Sequence, residues 1–169
     1  MSGHEQSPVP LPDAMLPGQY EDRYVLFALL NALVNRIQAA GDAQFEEVTW
    51  KQWFALLGVS VFPQPPGVQE VAALIGTSHQ NLKQLLLRLE KTGLVQLQKD
   101  PADARRTLIH TTPHTQAFER KYRDQSGGFM QAICEGIPQE DIAVTRRTVE
   151  HMNDNLRRAF SGGQDQEDV

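Results

Sequence analysis

The chain has 169 residues, 40% of them hydrophobic, and a net charge of −5. That length suits one domain or two small ones, and that composition excludes wholesale disorder. The longest unbroken apolar run, residues 25–30, is far too short for a membrane span, so no membrane partner is expected. Residues 1–18 are proline-rich without a basic or apolar block, so no secretory signal is expected. The single cysteine, Cys134, can form no internal disulfide, which fits a reducing cytoplasm. The overall negative charge argues against nucleic acid, but it is unevenly spread. Residues 67–112 hold six Lys or Arg against four Asp or Glu, and both flanks are net negative.

Residues 1–18 read as a disordered arm and residues 161–169 as a disordered acidic tail. Between them, residues 20–40 form a proline-free helix that is apolar around most of its circumference, from Tyr24 through Phe27 and Leu33 to Ile37. Such a helix needs cover on more than one side, and a second subunit is the expected cover. Gly41 and Asp42 are expected to end it. Thr49 and Gln52 have the spacing of a capping box, and the helix they open carries Trp53, Phe54, Leu56 and Leu57. Pro63, Pro65 and Pro66 stop it. A short helix follows over residues 68–75, then a turn at Gly76, then a longer helix over residues 78–91 closed by Gly93.

Beyond Gly93 the apolar period shifts to two. Residues 94–98 and 107–111 read as the strands of a hairpin, joined by a charged loop. Pro113 opens the next helix, which Gly127 and Gly128 are expected to kink or interrupt. Pro138 opens the last helix, with Glu140 and Asp141 favourably placed in its first turn. Its apolar positions (Ile142, Thr145, Val149, Met152, Leu156 and Ala159) follow the 3-4 spacing of a coiled-coil seam.

Helix, glycine turn, helix and hairpin in that order make a winged helix-turn-helix. Ala72 is small where the two helices cross, and Thr77 or Ser78 caps the second. Leu82, Leu85, Leu86 and Leu89 anchor that helix to the core. Its outer face carries Gln80, Lys83, Gln84, Leu87 and Lys91, with Asn81 and Arg88 on the flank. Amides and lysines on such a face can read base edges in a major groove, and Ser78 at the helix start suits a phosphate. A merely solvated face is the competing reading, and the attached turn and wing weigh against it. Arg105 and Arg106 at the hairpin tip are placed for a minor groove, with Asp100 or Asp103 able to hold an arginine in position. Leu87 would touch a thymine methyl or lie against the wing; the wing is the favoured reading.

The segment from Gly76-Thr77-Ser78 through Leu82, Leu85 and Arg88-Leu89-Glu90-Lys91 to Gly93-Leu94-Val95 resembles the recognition segment of the MarR (multiple-antibiotic-resistance regulator) family. Asp100-Pro101, Asp103 and Arg105 resemble that family's wing. The resemblance spans residues 19–160. It implies a mainly α fold with a small β-hairpin wing. The winged helix-turn-helix core would occupy residues 45–112, and the dimerisation helices residues 19–41 and 113–160. It further implies an obligate homodimer on a pseudo-palindromic duplex DNA operator, with the separation of the DNA-binding lobes altered in many members by a small ligand or an oxidant. The expected DNA contacts are Ser78, His79, Gln80, Asn81, Lys83, Gln84 and Arg88 on the helix, and Lys99, Asp103, Arg105 and Arg106 on the wing. The chain departs from the family at Lys83, Gln84 and Ala104, where many members carry a small hydroxyl, an arginine and a basic residue. The operator therefore need not be the usual one.

Other signals are weaker. Cys134 reads as a small buried core residue rather than a redox sensor, since peroxide-sensing relatives place the thiol near the first helix. The five histidines lack metal spacing. Trp50, Trp53 and Phe54 read as core more readily than as the wall of an effector cavity. No nucleophile elbow, phosphate loop or paired carboxylates stand out, so neither an enzyme nor a cofactor is expected. The expected function is a transcriptional regulator, a repressor by preference, with a small-molecule effector as a further partner. Two rivals remain: a winged-helix protein-interaction module without DNA binding, and a cysteine-based redox regulator.

Overall fold

The structure, a computed structural model, describes residues 20–160. The arm and tail expected at the two ends lie outside them. Among the described residues, six helices and one hairpin follow in the order α1 (Asp22–Asp42), α2 (Trp50–Ser60), α3 (Val68–Ile75), α4 (His79–Lys91), β1 (Val95–Lys99), β2 (Thr107–Thr111), α5 (Pro113–Ile133) and α6 (Gln139–Phe160). They fall into two compact units divided between Ser126 and Gly127, within α5. No helix among the described residues is long and apolar enough to cross a membrane.

The first unit holds α1 to α4, the hairpin and most of α5. Its core is built from Leu56, Val71, Leu82, Leu86, Leu89, Leu94, Ile109 and Phe118, each almost fully buried. An aromatic cluster lies beside it. The Phe45 ring sits 5.4 Å from Trp53, 5.2 Å from Tyr122 and 6.0 Å from Phe118. Phe45 stacks on Trp53 and meets Tyr122 edge to face, and rings at these separations bury large areas and attract in both arrangements.

α1 ends at Asp42, within the pair expected to close it, but Gly41 lies inside its last turn. The reason is packing. A Cβ at Gly41 would collide with the Trp50 ring, and Asp42 Oδ1 accepts the Trp50 N–H at 2.7 Å. Gly41 therefore serves a close approach. The capping box at the start of α2 is present: Gln52 N–H donates to Thr49 Oγ1 at 3.3 Å, and Thr49 N–H donates to Gln52 Oε1 at 2.7 Å. Gly76 adopts φ 69°, the left-handed turn that α3 to α4 requires.

β1 and β2 pair antiparallel with Leu97 opposite Ile109. The strand begins one residue later than the period-two pattern suggests. A further pairing was not expected. Ile109 N–H donates to the Pro66 carbonyl at 2.9 Å, and Gly67 bridges Leu108. The chain before α3 thus flanks β2. On the other side, Leu97 N–H donates to Glu90 Oε1 at 2.8 Å. The start of α5 locks the α4–β1 turn: Thr112 Oγ1 donates to the Gly93 carbonyl at 2.7 Å, and the buried Thr115 hydroxyl donates to the Leu94 carbonyl.

The second unit holds the end of α5 and α6. α5 passes through Gly127 and Gly128 without interruption. Propensity alone disfavours glycine here by about 1 kcal/mol per residue, too little to break a 21-residue helix. Cys134 is half-buried in the turn after α5, so it is not the fully buried core residue its apolar neighbours suggested. Along α6 the seam positions Ile142 and Met152 are half-buried, while Val149 and Leu156 are exposed.

Candidate nucleic-acid interface

α4 is strongly two-faced. Leu82, Leu86 and Leu89 are completely buried, and Leu85 is half-buried at the margin. The helix start is fixed by Ser78, whose Oγ accepts the Asn81 N–H at 3.2 Å. Ser78, His79, Gln80, Asn81, Lys83, Gln84 and Arg88 all lie exposed. Leu87 keeps 37% of its surface open among them. A face of amides and a lysine, held by a leucine anchor, can present several donors and acceptors to base edges at once.

The wing loop is shaped by its own aspartates. Asp100 Oδ1 accepts the Ala102 N–H at 2.8 Å, and Asp103 Oδ1 accepts the Arg105 N–H at 2.9 Å. Arg106 N–H donates to the Asp103 carbonyl at 2.9 Å, and Asp100 N–H to the Arg106 carbonyl at 3.1 Å. These local bonds are how short polar side chains build a tight loop. Asp103 therefore acts on the loop's backbone.

The two arginines at the tip are used differently. Arg106 reaches back across the fold: its guanidinium donates to Glu70 Oε2 at 2.6 Å and to Asp100 Oδ2 at 3.4 Å. The same Glu70 oxygen accepts the Gly67 N–H at 2.5 Å, so Glu70 caps α3 and holds the wing together. Lys83, Lys99 and Arg105 have no ion-pair partner among the described residues. They surround, with His79, a cleft of about 670 Å³ between α3, the start of α4 and the hairpin. All eleven residues expected at the interface thus lie on α4 with its capping residue or on the adjoining hairpin with its loop, and the cleft joins His79, Lys83, Lys99, Asp103, Arg105 and Arg106. The sequence reading missed Glu70. Its Gly-x-x-Glu spacing before an apolar helix was the available signal.

The charge states follow. The Gly67 N–H, then Arg106, hold the Glu70 carboxyl below its ordinary range. Glu70 in turn raises Arg106 above an already high value. A depressed carboxylate contributes stability above its unfolded pKa and loses it as pH falls through the folded one. The thermal midpoint of the native chain should therefore exceed that of Glu70→Gln at neutral pH. The gap should close on acidification below the ordinary carboxylate range. A gap constant with pH would show that the carboxylate charge contributes nothing.

Elsewhere in the first unit, Trp53, Leu57, Phe118, Glu119, Tyr122 and Arg123 line a second cleft of about 310 Å³. Trp50 is buried and Phe54 is 43% exposed, so of the three aromatics considered for a cavity wall Trp53 alone lines this cleft. Among the described residues no group of three or more His, Cys, Asp or Glu is placed to hold a metal ion.

Residues 47–106 match the sequence model of the MarR family. No curated protein sequence matches the chain. Many solved structures share its fold. A MarR/EmrR family transcriptional regulator from Acinetobacter sp. ADP1 is 15% identical with a TM-score of 0.72, over 81% of this chain and 97% of that one. The PcaV transcriptional regulator from Streptomyces coelicolor, solved with its natural ligand, is 18% identical with a TM-score of 0.66, over 86% and 98%. BpsR from Bordetella bronchiseptica, whose DNA binding is regulated by 6-hydroxynicotinic acid, is 18% identical with a TM-score of 0.66, over 75% and 97%. The fold is that of the MarR winged-helix proteins.

Proposed function

We propose that this chain, whose residues 47–106 carry the MarR-family winged helix, is a DNA-binding transcriptional repressor that acts as a homodimer on a pseudo-palindromic operator. The observation that carries the reading is the juxtaposition of an exposed amide-and-lysine helix face with a wing whose Arg105 is unpaired among the described residues. The face reads base edges in a major groove, and Arg105 enters the neighbouring minor groove, where negative potential is concentrated. Lys83 and Lys99 line the cleft between them and suit phosphates.

The dimer follows from α1. Tyr24, Phe27, Leu33 and Val34 are each about half exposed or more, which is a large apolar area for a helix of a finished surface. A second copy covers it and supplies the second recognition helix. Release by a small molecule is the last element. The cleft of about 310 Å³ offers aromatic walls with Arg123 and Glu119 at its polar margin, a lining suited to a small aromatic molecule that carries polar groups. The ligand-regulated relatives of the same fold favour this part of the reading.

Selection of bound duplexes from a random pool tests the whole. The expected product is an inverted repeat with half-sites about one helical turn apart, or a multiple of it. Affinity for it should fall linearly on a logarithmic salt axis, by about 0.9 per phosphate contact. Retention of no duplex at low ionic strength would overturn the proposal in favour of a protein-interaction module.

A further inference from the structure

We propose that Arg106 is the positioning residue of the wing: by bridging Glu70 of α3 and Asp100 of the hairpin, it sets the angle at which Arg105 meets DNA and does not itself contact DNA. This rests on the DNA-binding reading above and assigns the two adjacent arginines opposite tasks.

The geometry points there from three sides. First, the Arg106 guanidinium has two carboxylates to serve, Glu70 at 2.6 Å and Asp100 at 3.4 Å, on two elements far apart in sequence. Second, the partners are themselves held. Glu70 is fixed by the Gly67 N–H, and the Asp100 side chain is only 12% exposed and accepts the Ala102 N–H. Third, the path of the guanidinium is shaped by a missing side chain. A Cβ at Gly67 would lie 2.9 Å from Arg106 Nε and 3.0 Å from Glu70 Oε2, so a larger residue there would push the two flexible side chains off the positions they hold in the bridge. The next residue back along the loop, Arg105, has its backbone N–H held by Asp103 and its side chain in the cleft without an ionic partner among the described residues. Anchoring one arginine by a planar, two-carboxylate fork orients its neighbour; a lysine, with a single point charge, cannot span the same pair.

Two mechanisms make opposite predictions for Glu70. If Arg106 were a phosphate ligand, Glu70 would compete with DNA for it, and removing Glu70 would tighten binding. If Arg106 positions the wing, removing Glu70 loosens the wing and weakens binding, although a negative charge leaves the cleft. The experiment uses the full chain and a duplex selected from a random pool by that chain. Dissociation constants are measured across a salt series for Glu70→Ala, Arg106→Ala, Arg106→Lys, Arg105→Ala and the Arg105→Ala/Arg106→Ala double variant. Thermal melting confirms that each is folded.

Glu70→Ala, Arg106→Ala and Arg106→Lys should each weaken binding by about twofold or more, the lower end of coupling within one salt-bridge network. In the Arg105→Ala background, Arg106→Ala should change neither affinity nor salt slope. Without DNA, amide hydrogen exchange over residues 100–107 should accelerate in Glu70→Ala and in Arg106→Ala. Tighter binding by Glu70→Ala, full rescue by lysine, or unchanged exchange in both variants would overturn the proposal. So would a further loss in the double variant with the salt slope reduced by about one, the mark of a direct phosphate contact. If the native chain retains no duplex but the exchange result holds, the regulator reading fails while the bridge that fixes the wing stands.

Discussion

Replacing Phe118 by alanine is expected to remove about 3–5 kcal/mol of folding stability. Phe118 is 2% exposed, 4.7 Å from the Tyr122 ring and 6.0 Å from Phe45. Through Phe45 it joins Trp50 and Trp53, so α5, α2 and the segment between α1 and α2 share one aromatic block. Truncation withdraws the ring's buried area and leaves a void that such rigid neighbours fill poorly. A domain's total stability is about 5–15 kcal/mol, so this single change removes a large fraction. A urea titration at fixed protein concentration checks it, the fixed concentration being needed because self-association would add to apparent stability. A loss below about 1 kcal/mol would mean the block does not hold the helices together.

Arg105→Ala should lower affinity for a selected operator by about fivefold or more per protomer, from the 1–3 kcal/mol typical of a sequence-reading arginine. Its side chain is exposed and unpaired among the described residues, so melting and self-association should be unchanged. The footprint should lose protection in the minor groove flanking each half-site, while protection in the major groove under α4 persists. Unchanged affinity in a gel shift would remove the wing from the interface.

Much of this was legible in the sequence, because the features concerned are local. Leu82, Leu86 and Leu89 repeat with the helical period, so their burial follows from spacing. Thr49 with Gln52 and Ser78 ahead of α4 are caps whose partners lie within three residues. Gly76 has a positive φ because a tight helical turn requires one. What was hidden depends on residues distant in sequence. Gly41 sits at the helix end its composition suggests, but its closeness to the Trp50 ring, which bars a side chain there, is not visible in the local pattern. Arg106 looked identical to Arg105 until Pro66 and Gly67 came alongside β2 and brought Glu70 within reach. Gly127 and Gly128 suggest a kink or an interruption, and the interruption does not occur because the flanking helical residues carry the helix through them. Charge and composition describe what a side chain can do; the fold decides which partner it meets.

The hairpin's two outer edges have a consequence for colloidal behaviour. A strand with free backbone donors and acceptors invites another chain to add to it, and a small projecting hairpin is especially open to this. Here Glu90 takes the Leu97 N–H on one rim, and the Pro66 carbonyl takes the Ile109 N–H on the other. The finger can thus project into solvent without offering these two amides as a template on which copies polymerise.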